Sequence, residues 1–405
     1  MTFPAQHLTY CTNIHPGETW AEVRENLARY VVPVREQLAG VPPFDRGPFG
    51  VGLRLSAAAA RALADAAALA ELRAFLADHG LYVFTVNGFP YGPFHGTPVK
   101  ERVYRPDWLE PERLAYTDQV ATVLAALLPE GVEGTVSTLP GAFAPRVGGP
   151  DDLARIGRAI ARHAAHLVAL EARTGRRVAL ALEPEPCCLL EGVGDAVAFL
   201  TEHVFGGGAI GVVARATGLS RAGAERALRE RVGVCYDACH MAVAFEAPGG
   251  ALAAFAGAGI RIPKVQVSAG LRVRFATPDD PALAALDGFA DDVYLHQVVE
   301  RGQGGGPLVR YLDLGEALAA ARRAPPGARE WRVHFHVPLF CERLGPFEST
   351  RAHAAELLAL LGARGERPHL EVETYSWGVL PEAYRAGGVV DAVARELAWA
   401  ASQLP

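Results

Sequence analysis

The sequence predicts an α/β fold built as a single (β/α)8 TIM barrel, and three observations predict it. Short β-branched runs alternate with longer Ala/Leu/Arg runs of helical period, the order that specifies a parallel sheet with crossover helices. No Gly-rich phosphate fingerprint follows a strand, since Gly206–Gly208 and Gly302–Gly306 read as turns, which disfavours a doubly wound nucleotide-binding sheet. Acidic residues stand where the apolar runs end, and the C-terminal strand ends are where barrels carry their sites.

The expected strands are Leu8–Ile14, Phe49–Leu55, Tyr82–Asn87, Gly134–Leu139, Val178–Glu183, Val232–Asp237, Lys264–Ser268, Arg332–Val337 and His369–Thr374. That is one more than a closed barrel uses, so either the first or Arg332–Val337 is an accessory strand. Helical periodicity fills the intervals with Trp20–Leu38, Ala57–His79, Tyr116–Leu128, Asp151–Thr174, Asp195–Val204, Arg221–Arg231, Gly250–Ala258, Leu314–Arg323, Thr350–Leu361 and Val389–Leu404. No low-complexity linker divides the chain, so residues 1–405 are read as one domain. Tyr294–Glu300 and Leu308–Leu312 flank the Gly-rich turn, and residues 269–313 read as a hairpin inserted over the C-terminal mouth. Its apolar residues leave two uses open, a pocket cover or a homo-oligomer contact.

Composition bounds the function. Half of the 405 residues are hydrophobic and 21% are charged, enough apolar material for a large core. A formal charge of −6 removes the general attraction to phosphate backbones, so nucleic acid is not an expected partner. The apolar stretches Ala57–Leu72 and Val120–Leu128 are short or charge-interrupted, so no membrane insertion is expected. Six cysteines lie without a CxxC pair or a signal peptide, which points to a reduced, cytoplasmic compartment.

The strand ends carry Glu183-Pro-Glu185, Asp237-Ala-Cys-His240, Gln266 with Ser268, and Glu371 with Glu373. Carboxylates after apolar runs are costly to bury unless paired or ligated, so several converging on one cup imply a divalent cation, with Mn, Mg, Co and Zn all open. The candidate ligands are Glu183, Asp237, Gln266 and Glu373, with His296, His334 and His336 as further imidazoles. Glu183, Glu373, His240 and Lys264 are the candidate catalytic groups. For each acid the plainer reading is a helix cap or an arginine partner, and for Lys264 a buried ion pair. The aromatic loop Asn87–Gly96 and Trp377 are candidates for an apolar wall. Cys187, Cys188, Cys235 and Cys239 are a weaker candidate for a soft-metal site.

Val232-Gly-Val-Cys-Tyr-Asp237-Ala-Cys-His240 resembles the strand-and-loop motif of the xylose-isomerase-like barrel superfamily, which includes sugar epimerases and apurinic endonucleases. Leu182-Glu183-Pro and Leu370-Glu371-Val-Glu373-Thr374 resemble its other acidic strands. The resemblance implies that Asp237 binds metal and that His240 binds metal or contacts substrate. This chain has Gln266 where that pattern usually has His, which implies a looser site. Leu8–Glu18, Tyr236–His240, Tyr294–Val298, His334-Phe-His336-Val-Pro and Glu371–Trp377 together look like the EboE "metabolite traffic protein" family, encoded in ebo operons. That resemblance implies making or moving a secondary-metabolite precursor, with other proteins of the operon as partners.

Three functions are weighed. The first is metal-dependent isomerisation or epimerisation of a sugar, polyol or cyclitol, with Glu183 and Glu373 exchanging a proton on opposite faces of the substrate. The second is metal-dependent hydrolysis of a small phosphoester, and the third a non-catalytic carrier for a small-molecule metabolite.

Overall fold

The computed structural model describes residues 3–96, 98–385 and 387–404. In chain order the strands are β1 (Leu8–Tyr10), β2 (Phe49–Arg54), β3 (Leu81–Asn87), β4 (Gly134–Thr138), β5 (Val178–Leu182), β6 (Val232–Asp237) and β7 (Lys264–Val267). Then follow β8 (Leu271–Phe275), β9 (Val298–Gly302), β10 (Val309–Tyr311), β11 (Arg329–Val333), β12 (Arg343–Leu344), β13 (Phe347–Ser349) and β14 (His369–Val372).

Eight parallel strands run in the order β1-β14-β7-β6-β5-β4-β3-β2, the expected (β/α)8 barrel. Val-Ala-Leu-Ala-Leu of β5 is buried throughout, as a parallel strand must be when helices cover one face and the barrel interior fills the other. The helix Pro150–Thr174 shows how the covering layer is specified. Pro150 opens it, Asp151 and Asp152 sit in its first turn, and Gly175 closes it at φ 67. Its buried stripe of Ile156, Ile160, Leu167 and Leu170 faces the core.

The seam between β1 and β2 closes with little backbone pairing. Cys11 bridges Gly52, and Thr9 Oγ1 donates to Gly50 O at 2.8 Å while accepting from Gly52 N at 3.1 Å. Gly52 is required here, because a Cβ would lie 2.7 Å from the backbone oxygen of Tyr10 and would also run into Glu371 Oε1 inside the barrel.

Between β7 and β14 the chain builds a second, antiparallel sheet in the order β10-β9-β11-β8-β13-β12. The expected hairpin is present as β9 and β10, but the insertion extends beyond residue 313, through β13 at Ser349. The extra strand is the Arg332–Val337 segment rather than the first. Arg329–Val333 pairs antiparallel with β8 and β9, and Leu8–Tyr10 takes its place in the barrel. The region expected as one helix, Ala57–His79, is two, because Asp65 caps a new start by accepting from Ala67 N and Ala68 N. Among the described residues no single helix is long and apolar enough to cross a membrane.

Candidate metal centre

Three strand ends deliver the expected acids to one place. Glu183 follows β5, Asp237 ends β6 and Glu373 follows β14, and each offers an oxygen within 4.8 Å of the others. All three are buried, at 2%, 0% and 4% exposure. Burial and the neighbouring Glu373 and Asp237 raise the carboxyl of Glu183 well above its ordinary range. Glu373 is raised likewise, by burial and then by Asp237 and Glu371.

Asp237 is gripped on one side and open on the other. Asp237 Oδ1 accepts from Ser268 Oγ and from His240 N, both at 2.8 Å, while Oδ2 has no hydrogen-bond partner. Glu373 Oε1 accepts from Asn13 Nδ2 at 2.7 Å and Asn87 Nδ2 at 3.0 Å. Glu183 Oε2 has no partner, and neither do Oε1 and Nε2 of fully buried Gln266, whose register position lies beside Asp237 and Glu371. Buried polar groups without partners are rare, and a divalent cation in the cup would satisfy these oxygens.

Beside the carboxylates stand three imidazoles that are all held through Nδ1. His240 Nδ1 donates to Pro184 O at 2.9 Å, His334 Nδ1 to Gln297 Oε1 at 2.7 Å, and His336 Nδ1 to Glu373 O at 2.8 Å. Gln297 is oriented by donating Nε2 to Tyr104 Oη at 2.9 Å and to Pro186 O at 3.3 Å. With Nδ1 protonated, each Nε2 presents a lone pair, and those of His334 and His336 lie 3.3 Å apart, with Tyr375 Oη 3.4 Å from the former. Burial, then neighbouring imidazoles, lowers His334 well below its ordinary value, and burial lowers His336 to about 4, so neither ring readily carries a second proton. Asp237, His240 and His336 form one candidate ligand group, and Glu185, His240 and His334 another. Asp237 therefore belongs to both the carboxylate and the imidazole cluster, and the donor set fits one or two divalent ions.

Two expected residues lie elsewhere. Lys264 starts its strand below the cup, its ammonium 2.6 Å from Glu371 Oε2 and 3.1 Å from Ser137 Oγ, so it forms a buried ion pair. Burial opposes its charge, but Glu371 overrides that and raises its value. His296 is not brought to the cup as a ligand. Its Nδ1 donates to His334 O at 3.1 Å and its Nε2 is engaged by Asp291. Of the cysteines, Cys239 lies with His334 and His336, and among the described residues no four-cysteine cluster forms.

Above the acids is a small cavity of about 50 Å³ lined by Glu183, Glu185, Glu373, His240, Asn13 and Asn87. Its upper wall is aromatic. Phe89 and Phe94 come from the expected loop, and Tyr104, Tyr294 and Tyr375 join them, while Trp377 is not among the lining residues. Tyr294 and Leu295 of this lining come from the insertion. Sequence reasoning missed four contributors. Asn13 and Asn87 stand at or just after strand ends, a signal that could have found them, whereas Tyr104 ends a short 3-10 helix and Gln297 sits in a loop, neither with a pattern.

No protein-family profile and no curated protein matches the chain. Among solved structures, a xylose isomerase-like TIM barrel protein from Mycobacterium smegmatis in complex with magnesium is 11% identical, with a TM-score of 0.50 over 98% of this chain and 96% of that one. The probable 3-DHS dehydratase AsbF from Bacillus anthracis is 10% identical, at a TM-score of 0.46 over 96% of this chain and 97% of that one. The IOLI protein with a binding zinc atom is 11% identical, at 0.42 over 98% and 96%. The fold is thus a (β/α)8 barrel, similar to that of the xylose isomerase-like protein, with a cluster of side chains able to ligate a metal at its mouth.

Proposed function

We propose that the protein is a metal-dependent isomerase or epimerase acting on a sugar, polyol or cyclitol-type small molecule. The observation that carries this is the mutual reach of Glu183, Asp237 and Glu373, with Glu183 Oε2 and Asp237 Oδ2 both buried without a hydrogen-bond partner. A bound divalent cation would polarise a carbonyl and its neighbouring hydroxyl, acidifying the C–H between them. The protein's part is to move that proton. Glu183 takes it from one face through a carboxylate oxygen that the cation leaves free, and Glu373, its Oε1 fixed by Asn13 and Asn87, returns one to the other. The aromatic wall excludes water while the proton is in transit. Magnesium in the Mycobacterium smegmatis barrel supports a metal in this cup. The EboE resemblance adds a place in secondary-metabolite biosynthesis or export, in the cytoplasm, with other proteins of the same operon.

The test is solvent deuterium exchange into candidate ketoses and keto-polyols. Exchange should require added Mn²⁺, Mg²⁺, Co²⁺ or Zn²⁺ and should vanish in Glu183→Gln. Metal-dependent exchange that persists in that variant contradicts the assignment.

The imidazole cluster favours a second reading, hydrolysis of a small phosphoester with a second ion held through Asp237, His240 and His336. Two equivalents of bound metal together with phosphatase turnover would select it.

A further inference from the structure

The charges around the cavity narrow the ligand's class, and the argument rests on the cation reading above. Three carboxylates around one divalent ion leave one negative charge in surplus. Glu185 adds another at the cavity wall: it is 5% exposed, Tyr104 Oη donates to its Oε1 at 2.7 Å, and its Oε2 has no partner. Among the described residues no free cation answers them. Lys264 is occupied by Glu371, and Lys100, the one lysine or arginine among the described residues lining the cavity, is held by Asp313 Oδ2 at 2.7 Å and Asp291 O at 3.0 Å. A phosphate would bring like charge into a desolvated space with no guanidinium or ammonium to receive it. A hydroxyl or ammonium would meet in Glu185 Oε2 an acceptor that lacks a donor, and the faces of Phe94, Tyr294 and Tyr375 suit the apolar side of a ring or an ammonium.

We propose that the cavity takes an unphosphorylated ring polyol, neutral or amine-bearing, and that Glu185, held by Tyr104, selects it by accepting a hydrogen bond from a ligand hydroxyl or ammonium. Glu185 is then a specificity residue, distinct from the acids that hold the cation.

The experiment is calorimetric titration of the Mn²⁺-loaded full-length protein with two matched pairs, myo-inositol against myo-inositol 1-phosphate and glucosamine against glucosamine 6-phosphate, with bound metal assayed on the same samples. In at least one pair the unphosphorylated ring should bind about tenfold tighter or more. The inositol arm reads a hydroxyl and the glucosamine arm an ammonium at Glu185. In Glu185→Gln the gap should close with bound metal unchanged. Tyr104→Phe, which keeps the ring but removes the hydroxyl that orients Glu185, should narrow it and serves if Glu185→Gln does not fold. Equal or tighter binding of both phosphates, or no binding of either unphosphorylated ring, overturns the proposal. So does loss of metal in Glu185→Gln, which would make Glu185 a ligand. Wild-type protein that takes up no metal would instead overturn the site reading beneath it.

Discussion

Asp237 couples the two halves of the site, because Oδ1 is fixed by Ser268 and His240 while Oδ2 faces the cation position. Asp237→Asn should lower metal affinity by at least ~10-fold, read by competition with a chromogenic chelator. The acids also set a pH dependence. Glu183 and Glu373 have raised values in the folded chain, so without metal the fold binds more protons than the unfolded chain. Their contribution is fully present below the unfolded value of about 4.5 and is lost as pH rises. A cation needs the deprotonated forms, so its stabilisation runs the other way. The gain in Tm on adding Mn²⁺ should therefore be larger at about pH 8 than at about pH 5.5, and an equal gain at both would contradict this. Glu396 offers an independent check away from the cup. Burial raises it to about 7, opposed by hydrogen bonds from Thr374 Oγ1 and Leu339 N. Glu396→Gln should remove a loss on the order of 3 kcal/mol that wild type suffers as pH rises from about 4.5 through 7, seen in urea melts at several pH values.

At the scale of elements, the barrel floor rests on Lys264 of β7 and Glu371 of β14, both fully buried. Removing one partner leaves the other charge unpaired, so Lys264→Met should cost about 3–5 kcal/mol in chemical denaturation. Adding Glu371→Gln should recover most of that loss, with bound metal retained in the double variant, and failure to recover would show a role for Lys264 beyond its pair. The barrel strands and their acids were legible because parallel strands covered on both faces read as unbroken apolar runs, so a carboxylate at the end of one stands out. The insertion was legible only in part. Its strand β11 alternates buried Trp331 and Val333 with charged Glu330 and half-buried Arg332, the signature of a one-sided antiparallel strand, which separates it from a barrel strand such as β5. The pairing of β8 with β13 was not readable, since it joins short segments far apart in sequence.

For the molecule as a whole, the barrel gathers acids from β5, β6 and β14, and the insertion closes over them with Tyr294, Gln297, His334 and His336. That division of labour explains why the carboxylate cluster followed from strand ends alone. The three imidazoles share a tautomer only because Pro184 O, Gln297 and Glu373 O converge on them from separate segments, a fact of tertiary packing. The central claim is that Glu183, Asp237 and Glu373 hold one divalent cation, and metal analysis tests it most directly. Inductively coupled plasma mass spectrometry of protein dialysed against trace metals should find at least one equivalent of a divalent ion in wild type. It should fall to background in Asp237→Asn and in Glu183→Gln/Glu373→Gln, with circular dichroism unchanged. Metal-free wild-type protein, or full occupancy in those folded variants, would contradict the account.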